Sequence, residues 1–499
     1  MKKTLRTLLA LCILTCMVFP AFALGEETVD YWGRYETPVT VRFAVNGAEE
    51  DGFTWEDNVW TQAWEEKFNI HTEILWNTGT DDAYKTKLSL AILSGDLPDY
   101  IITSNYNQFL DLVNSGYAQD ITETYDQWIY PHLKENLEMT EDSQDTAFVD
   151  GKRYGICTTG VKGTNTRSIF IRTDYLEKVG ADIPKTFEEL VALGKKFVDE
   201  GLAKYALPLI GNITGEGYSD MQAAANAFGV YPTIWIDQDG KTVYGSMLPQ
   251  METVLNLYKD LYDNGYIDPT FATAINDTLT EQIMTGDIGI LMGDFWVTTW
   301  PLPSLKAENG AIVDWTIIPL LPSETNDAFR IQGGANNGKM VVIRAGYEHP
   351  EAIMKLINHR CAVLDDPEFV VPDLQSTTNA AGEKVQNHMR CPIREYFNFP
   401  FTNMMASPHA TLAVDTGDMS ALERPNDEQN YQNIKDYLAA KEANDIEGMN
   451  KNWAMVKLFY GENSVFGSFY KNHMAGNYIY DVLNGYTTTN YERLWGTLR

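Results

Sequence analysis

The chain is poor in basic residues and in histidine, and each shortage excludes a class of protein. Lys and Arg number 38 against 69 Asp and Glu, so the formal net charge is -31 at pH 7. This charge repels nucleic-acid phosphates and anionic membranes at long range, although a local basic patch is compatible with it. The seven histidines form no H-E-x-x-H pattern and no close pair at helical spacing. We therefore expect no zinc site.

Cysteine is also scarce, with five residues in a chain of 499. Two of the five lie in the N-terminal apolar stretch, which leaves Cys157, Cys361 and Cys391. A chain of this length forms its own cores, which excludes a fold that depends on disulfides, and its length suggests two or more domains. Two of the three cysteines could pair, and we expect Cys361 with Cys391.

Long apolar runs are missing except at the N-terminus, where the pattern is that of an export signal. Lys2, Lys3 and Arg6 precede an apolar stretch from Leu8 to Phe19, which is too short to span a bilayer comfortably. Ala21-Phe22-Ala23 is a small-x-small cleavage site. We predict that residues 1–23 are a signal peptide removed after Ala23.

An alternative at the N-terminus is lipidation. Ile13-Leu14-Thr15-Cys16 resembles a bacterial lipobox, in which the cysteine receives a lipid. Thr15 departs from the usual small residue, and an apolar stretch follows Cys16 where a lipoprotein has a polar tether. We favour cleavage after Ala23 over lipidation at Cys16.

The first hundred residues alternate strand and helix patterns, which indicates crossover units on a mainly parallel sheet. The predicted strands and helices are, in order, Val39–Val45, Val59–Phe68, Ile70–Trp76, Asp82–Ser94 and Tyr100–Ile102.

The pattern restarts after Gly151, which predicts a second α/β unit. The predicted strands begin at Ser168, Ile288, Trp315 and Lys339. Thr186 and Glu189 are spaced as a capping box for a helix. Asp237-Gln238-Asp239-Gly240 predicts a hairpin turn, because the later ligands of a calcium loop are missing. After about Phe399 the pattern is mostly helical.

Motifs of catalysis are missing as well. Gly333 to Lys339 has the spacing of a phosphate-binding loop, but Met340 replaces the hydroxyl residue and a strand pattern follows. There is no G-x-S-x-G elbow, and nothing distinguishes any pair among the 69 carboxylates. We expect no catalytic residue, no bound metal and no cofactor.

Aromatic residues beside polar residues in predicted loops are the remaining functional signal. Such pairs suit a polyhydroxylated ligand, whose apolar faces stack on rings while its hydroxyls reach amides and carboxylates. At any one position the alternative is a partly buried core residue. The candidates are Trp55, Asn58, Asn105, Tyr106, Glu216, Tyr218, Asp294, Trp296 and Trp300.

Several motifs in order resemble those of one family. They are Ser94-Gly95-Asp96-Leu97-Pro98-Asp99, Gly116 to Thr122, Asp150 to Ile156, Ile171 to Gly180 with Pro184 to Leu190, and Thr285 to Met292. Each is loose alone, and Cys157 stands where the family has proline, but their order along the chain is specific. On these residues the chain resembles the extracellular solute-binding proteins of ABC importers, and among them the carbohydrate-binding group that includes maltose-binding proteins.

The resemblance implies an α/β architecture of two lobes, the type II periplasmic-binding-protein fold, with a hinge and a ligand cleft between the lobes. Lobe 1 would comprise residues 38–152 plus 340–398, and lobe 2 residues 158–332 plus 400–499. Crossing segments are expected near 151–159, 331–339 and 397–403. The implied protein is a secreted or cell-surface monomer that delivers its ligand to the permease subunits in the membrane.

Site residues follow from the resemblance in part. Trp296 matches the aromatic that stacks on sugar, whereas Asn336 and Asn337 are placed only by their position near the second crossing. The implied function is binding without chemistry, with an oligosaccharide favoured over a monosaccharide. Two alternatives stay open: a peptide or other solute bound by the same fold, and a secreted glycan-active enzyme.

Overall fold

In a computed structural model the chain forms alternating strands and helices over most of its length. The structure describes residues 29–49, 52–159, 166–214, 219–333, 339–369, 371–378 and 384–483. The predicted signal peptide, Cys16 included, lies outside these ranges. Among the described residues, none of the helices combines the length and apolar character needed to cross a bilayer.

The described strands are mostly short. They are β1 Val39–Val45, β2 Ile70–Asn77, β3 Tyr100–Thr103, β4 Phe148–Val149, β5 Lys152–Arg153, β6 Ile156–Cys157, β7 Ser168–Arg172, β8 Trp235–Gln238, β9 Lys241–Tyr244, β10 Ile290–Gly293, β11 Trp315–Ile318, β12 Ile331–Gln332, β13 Met340–Ile343, β14 Thr377–Thr378, β15 Lys384–Val385 and β16 Tyr478–Ile479.

The described helices flank the sheets and fill the C-terminal part. They are α1 Val59–Phe68, α2 Asp81–Ser94, α3 Tyr106–Asn114, α4 Thr122–Trp128, α5 Pro131–Glu138, α6 Glu141–Gln144, α7 Thr173–Val179, α8 Phe187–Asp199, α9 Gln222–Ala227, α10 Met251–Asp263, α11 Asn276–Thr285, α12 Pro350–Asp365, α13 Pro372–Gln375, α14 Thr402–Thr416, α15 Pro425–Glu442, α16 Ile446–Phe459 and α17 Val465–Met474.

Local signals explain where α1 begins and ends. The side chain of Asn58 accepts hydrogen bonds from the backbone N–H groups of Trp60 and Thr61, which caps the helix. Asn69 ends it in the left-handed conformation, with φ of 60°. Trp60 and Trp64, four residues apart on one face, are fully buried. The predicted helix Val59–Phe68 is confirmed.

The first sheet has five strands in the order β2-β1-β3-β13-β6. β1 pairs in parallel with β2 and β3, as predicted for crossover units. β13 arrives from the second half of the chain and lies antiparallel to both β3 and β6. The carboxyl ends of β1 and β3 therefore lie at the same edge, where α/β sheets bind ligands.

The second sheet is antiparallel, in contrast to the first. Its order is β10-β7-β11, and both outer strands run against β7. The predicted hairpin is formed by β8 and β9, with Asp239 and Gly240 both at positive φ in the turn. Two residues at positive φ are typical of a type I′ turn, and the predicted hairpin turn is therefore confirmed.

The buried side chains form separate cores. The largest draws its residues from 39–157 and 340–397. Two further clusters draw theirs from 169–331 and 404–469. The chain thus leaves the first core after residue 157, returns to it at residues 340–397, and ends among the other clusters, so it crosses between the two parts three times.

The expected disulfide between Cys361 and Cys391 is wrong. Cys157, Cys361 and Cys391 are all buried and unpaired. The Sγ atom of Cys361 points to the carbonyl oxygen of Phe397, 3.4 Å away, and Asn136 Nδ2 approaches the same sulfur. Burial raises the pKa of the Cys391 thiol to about 12, so each cysteine acts as a small apolar residue.

His359 lies at the centre of the aromatic packing in the first core. Its Nδ1 accepts a hydrogen bond from Trp64 Nε1 at 3.3 Å, and the rings of Trp60 and Phe68 lie 5.9 and 5.2 Å from its own. Burial, with a smaller contribution from Lys67, lowers the pKa of His359 to about 3. The imidazole is therefore neutral in the folded protein.

We expect His359 to make the protein sensitive to acid. An unfolded histidine binds a proton below its ordinary pKa of 6.5, whereas the folded one resists protonation down to about 3. Stability from this residue is therefore lost as pH falls below 6.5, by about 2 kcal/mol at pH 5. Urea unfolding of the wild type and His359→Gln at pH 7.5 and 5 measures this: the difference between them should shrink by that amount. A constant difference would exclude His359 as the cause.

Candidate functional site

The three segments predicted to cross between the cores lie side by side. The backbone N–H of Thr158 donates to the carbonyl of Lys339 at 2.9 Å. The N–H of Thr159 donates to the carbonyl of Tyr396 at 3.2 Å, and its hydroxyl donates to the carbonyl of Asn398 at 2.8 Å. One hydrogen-bonded group therefore joins all three connections, which is the arrangement that a hinge requires.

A first pocket opens at the carboxyl ends of β1 and β3, and we call it the strand-end pocket. Its volume is about 100 Å³. Three of its lining residues, Pro392, Arg394 and Glu395, directly precede the third predicted crossing. It is lined by Ala44, Val45, Asn46, Tyr84, Lys85, Tyr100, Ile102, Thr103, Ser104, Gln108, Lys339, Pro392, Arg394 and Glu395.

Glu395 is the acidic residue of the strand-end pocket, and its carboxylate is already bound. Tyr100 donates its hydroxyl to Oε2 at 3.1 Å, and Lys339 Nζ lies 3.6 Å from Oε1. Burial, reinforced by the charge of Glu395, raises the pKa of Tyr100 well above its ordinary value, so its hydroxyl is a permanent donor. This network fixes the floor of the pocket.

A second and larger pocket, of about 510 Å³, is lined in part by the next residues of the same segment. We call it the amide pocket, because six Asn and Gln side chains line it together with aromatic rings. Residues from both cores contribute. The lining comprises Phe295, Leu364, Gln375, Ser376, Gln386, His388, Tyr396, Asn398, Phe399, Thr402, Asn403, Asn426 and Gln429. Its size is within the range of small-ligand sites, and its chemistry suits hydroxyl groups.

An ion cluster supports the loop after β10 in the second core. Arg167 Nη2 lies 2.7 Å from Asp220, and Nη1 bonds Asp294. Asp294 in turn accepts a hydrogen bond from Trp296 Nε1 at 3.2 Å. Burial raises the pKa of Asp294 despite the opposing effect of Arg167. The cluster therefore ties the predicted sugar-stacking ring of Trp296 to the start of β7.

The predicted residues of the first core have structural contacts of their own. Trp55 is 3% exposed, and its indole donates to the carbonyl of Gly47. Asn58 caps α1, and Asn105 caps α3 by accepting from two backbone N–H groups. Tyr106 is half-buried against Phe109. None of these four lines the strand-end or the amide pocket, and ligand contact by them stays a prediction.

The predicted residues of the second core are placed in part. Asp294 and Trp296 lie together, half-buried, beside Phe295 of the amide pocket. Trp300 is 57% exposed. Glu216, Tyr218, Asn336 and Asn337 lie outside the described residues.

Sequence reasoning missed Arg167, Asp220 and the Arg394-Glu395-Tyr396 triplet. These three residues lie between Pro392 and the start of the third predicted crossing. Their position beside a predicted hinge segment is the sequence signal that could have identified them as site residues. Within the described ranges, no cluster of three or more His, Cys, Asp or Glu is arranged to hold a metal ion.

Comparison with known proteins gives a family, relatives and a fold. The model of the family described as bacterial extracellular solute-binding protein matches residues 46–359. The polygalacturonan/rhamnogalacturonan-binding protein YtcQ of Bacillus subtilis is 26% identical over 236 residues, which cover 45% of this chain and 44% of that protein. The fructooligosaccharide ABC transporter substrate-binding protein FusA of Streptococcus pneumoniae is 25% identical over 224 residues, 42% of this chain and 41% of that protein. The matched segments thus span less than half the length of these relatives.

A solved structure extends the likeness to nearly the whole chain. It is an HMO-binding, ABC-transporter-associated solute-binding protein from Bifidobacterium longum infantis, with a TM-score of 0.52 at 14% identity. The match covers 88% of this chain and 96% of that one. At this identity the likeness concerns the fold.

Proposed function

Because the chain belongs to the bacterial extracellular solute-binding protein family, we propose that it is the solute-binding subunit of an ABC importer and that it holds a carbohydrate between its two cores. The observation that carries the ligand class is the amide pocket. Its lining combines aromatic rings with six amides, and aside from His388 it contains no residue that carries a charge. Amides offer both donors and acceptors, which match sugar hydroxyls, and rings match the apolar faces of pyranoses.

The printed names of the relatives support a carbohydrate. YtcQ is named for polygalacturonan and rhamnogalacturonan, and FusA for fructooligosaccharides. We extend to this chain only the shared class, which is an oligosaccharide.

The proposed mechanism is closure of two lobes about the grouped crossing segments. Lobe 1 is assigned to 38–152 plus 340–398 and lobe 2 to 158–332 plus 400–499, in keeping with the separate buried cores. Each lobe contributes part of the amide pocket, so a bound sugar contacts both and stabilises the closed form. The closed form then docks on the permease subunits.

Export and attachment complete the proposal. The protein acts outside the cytoplasmic membrane as a monomer. The signal is removed after Ala23, with lipidation at Cys16 as the alternative.

The function proposed is binding without chemistry. A ligand recovered intact after incubation supports this, whereas cleaved product would establish the enzyme alternative.

The test of the proposed function is a thermal-shift screen of the mature protein against oligosaccharides and short peptides, followed by calorimetric titration. A specific ligand should raise the unfolding midpoint once its concentration exceeds the dissociation constant. Binding of a saccharide with one-to-one stoichiometry supports the proposal. Binding of peptides alone would replace the ligand class, and no binding to either class would overturn it.

Tyr396 offers a sharper prediction. Its ring is 41% exposed at the amide pocket. We expect Tyr396→Ala to weaken binding of the identified saccharide about fivefold, because a stacked ring contributes roughly 1 kcal/mol. The matched control is Tyr262→Ala, a tyrosine of 43% exposure on α10, away from both pockets. Equal affinities of the two variants would place the ligand elsewhere.

A further inference from the structure

The strand-end pocket is basic although the chain is acidic. Its charged lining is Lys85, Lys339 and Arg394 against Glu395 alone. In the whole chain, by contrast, Lys and Arg number 38 against 69 Asp and Glu. The carboxylate of Glu395 is bound by Tyr100 and Lys339, so it does not neutralise Arg394.

Arg394 lines this pocket, and one edge of its guanidinium has no hydrogen-bond partner among the described residues. Its Nη1 donates to the backbone carbonyl of Asn46 at 2.5 Å, and its guanidinium lies 5.7 Å from the ring of Trp55. Within the described part of the chain no carboxylate pairs with Arg394, and its hydrogen bonds all involve Nη1. The Nε–Nη2 edge carries two parallel N–H groups, the geometry that binds a carboxylate in a bidentate manner.

Lys339 adds a second cation beside that edge. Its side chain is 44% exposed, and its Nζ lies 3.6 Å from Glu395, the residue next to Arg394. The pocket volume of about 100 Å³ suits a charged substituent together with part of one sugar ring. The segment from Pro392 to Phe399 contributes residues to both pockets: its first part lines the strand-end pocket and its second part lines the amide pocket.

We propose that the strand-end pocket binds the carboxylate of a uronic-acid residue, with Arg394 as the bidentate partner and Lys339 as the second cation. The ligand is then an acidic oligosaccharide whose remaining sugar units occupy the amide pocket. This inference rests on the proposed function and specifies its substrate class.

The test compares two ligands of the same backbone by calorimetric titration: trigalacturonate and its fully methyl-esterified form, which is neutral. The wild type should bind the acid at least tenfold more tightly than the ester. Arg394→Gln should reduce this preference below threefold. Arg394→Lys keeps the positive charge but loses the two parallel N–H groups, so its preference should lie between those of the wild type and Arg394→Gln. Arg390→Gln is the matched control, since Arg390 lies outside both pockets and packs on Phe53.

The outcomes separate this inference from the proposed function. Equal or tighter binding of the ester, or of other neutral oligosaccharides alone, would overturn the acidic ligand and leave sugar binding in place. Tighter binding of a sulfated trisaccharide than of the uronate would overturn the carboxylate assignment. If no saccharide binds in the titration, the proposed function itself is overturned. The comparison of ligands on the wild type decides the question even where a variant does not fold.

Discussion

Arg167→Met is expected to lower the free energy of unfolding by about 3–5 kcal/mol, because it leaves two buried carboxylates without their cation. The side chains of Arg167, Asp220 and Asp294 are 7%, 1% and 17% exposed. For a domain of this size the loss corresponds to a fall of about 10 °C in the unfolding midpoint, which differential scanning calorimetry measures. Saccharide affinity should fall as well, since Asp294 holds the indole of Trp296.

Two controls isolate the cause of that loss. The triple variant Arg167→Met, Asp220→Asn, Asp294→Asn removes the stranded charges and should regain part of the stability. Lys471→Met breaks an ion pair with Glu462 whose side chains are 69% and 82% exposed, and should cost no more than about 0.5 kcal/mol. If Arg167→Met loses no more free energy of unfolding than Lys471→Met, the carboxylates of Asp220 and Asp294 are hydrated and the expected loss is wrong.

Asp365→Ala is the second substitution with a large expected effect. Oδ2 of Asp365 accepts hydrogen bonds from Asn136 Nδ2 at 2.8 Å, His132 Nε2 at 2.9 Å and the backbone N–H of Phe399 at 2.9 Å. Its side chain is 1% exposed. Alanine removes the acceptor of His132 and of the Phe399 N–H, while Asn136 keeps its hydrogen bond to the carbonyl of Phe397 at 3.2 Å. We therefore expect a loss of about 3 kcal/mol in chemical denaturation. Asp365→Asn keeps one oxygen in place and should cost about 1 kcal/mol.

The pH dependence distinguishes the ion pair from the hydrogen bonds. The hydrogen bond to Asp365 raises the pKa of His132 above its ordinary value of 6.5. The contribution of the pair is therefore full below pH 6.5 and is lost as pH rises through the raised pKa. Unfolding curves between pH 6 and 9 should show this loss in the wild type and not in Asp365→Asn. The same slope in both would assign it to another group.

Phe399 connects this substitution to ligand binding. Its N–H lies in the third crossing, so the anchor at Asp365 holds that crossing on the first core. Asp365→Ala should consequently lower saccharide affinity. Ile353→Val, a substitution in the same core and far from the crossing in sequence, should lower stability alone.

Local features were predictable where the signal lies within a few residues. The spacing of Trp60 and Trp64 located α1, and Thr186 caps α8 as predicted, with its hydroxyl accepting from the N–H of Glu189. The carboxylate of Glu189 turns to the N–H of Lys185 instead of completing the box. The predicted family and fold class, which came from motifs in order along the chain, are confirmed.

Long-range pairing was not predictable from local pattern. The position of β13 between β3 and β6 depends on a segment that returns after the whole second sheet is formed. The antiparallel order of that second sheet depends in the same way on strands far apart in sequence. Hydrophobic periodicity identifies a strand but carries no information about its partner.

The site was harder to predict for a different physical reason. Asn58 and Asn105 are polar residues where the chain turns into a helix, and such a position suits both a ligand contact and a helix cap. The structure shows the caps. The amides of the amide pocket lie in separate segments such as those of Gln375, Gln386 and Gln429, and only the folded chain brings them together.

The insertion of β13 has a consequence for how the protein is made. Synthesis runs from the N-terminus, and β6 pairs with β13 alone in the first sheet. The nascent chain therefore cannot complete that sheet until Met340–Ile343 has left the ribosome, and pairings so distant in sequence form slowly. For the export proposed above, this delay is useful, because the first sheet stays incomplete for most of the synthesis and an incompletely folded chain can be translocated.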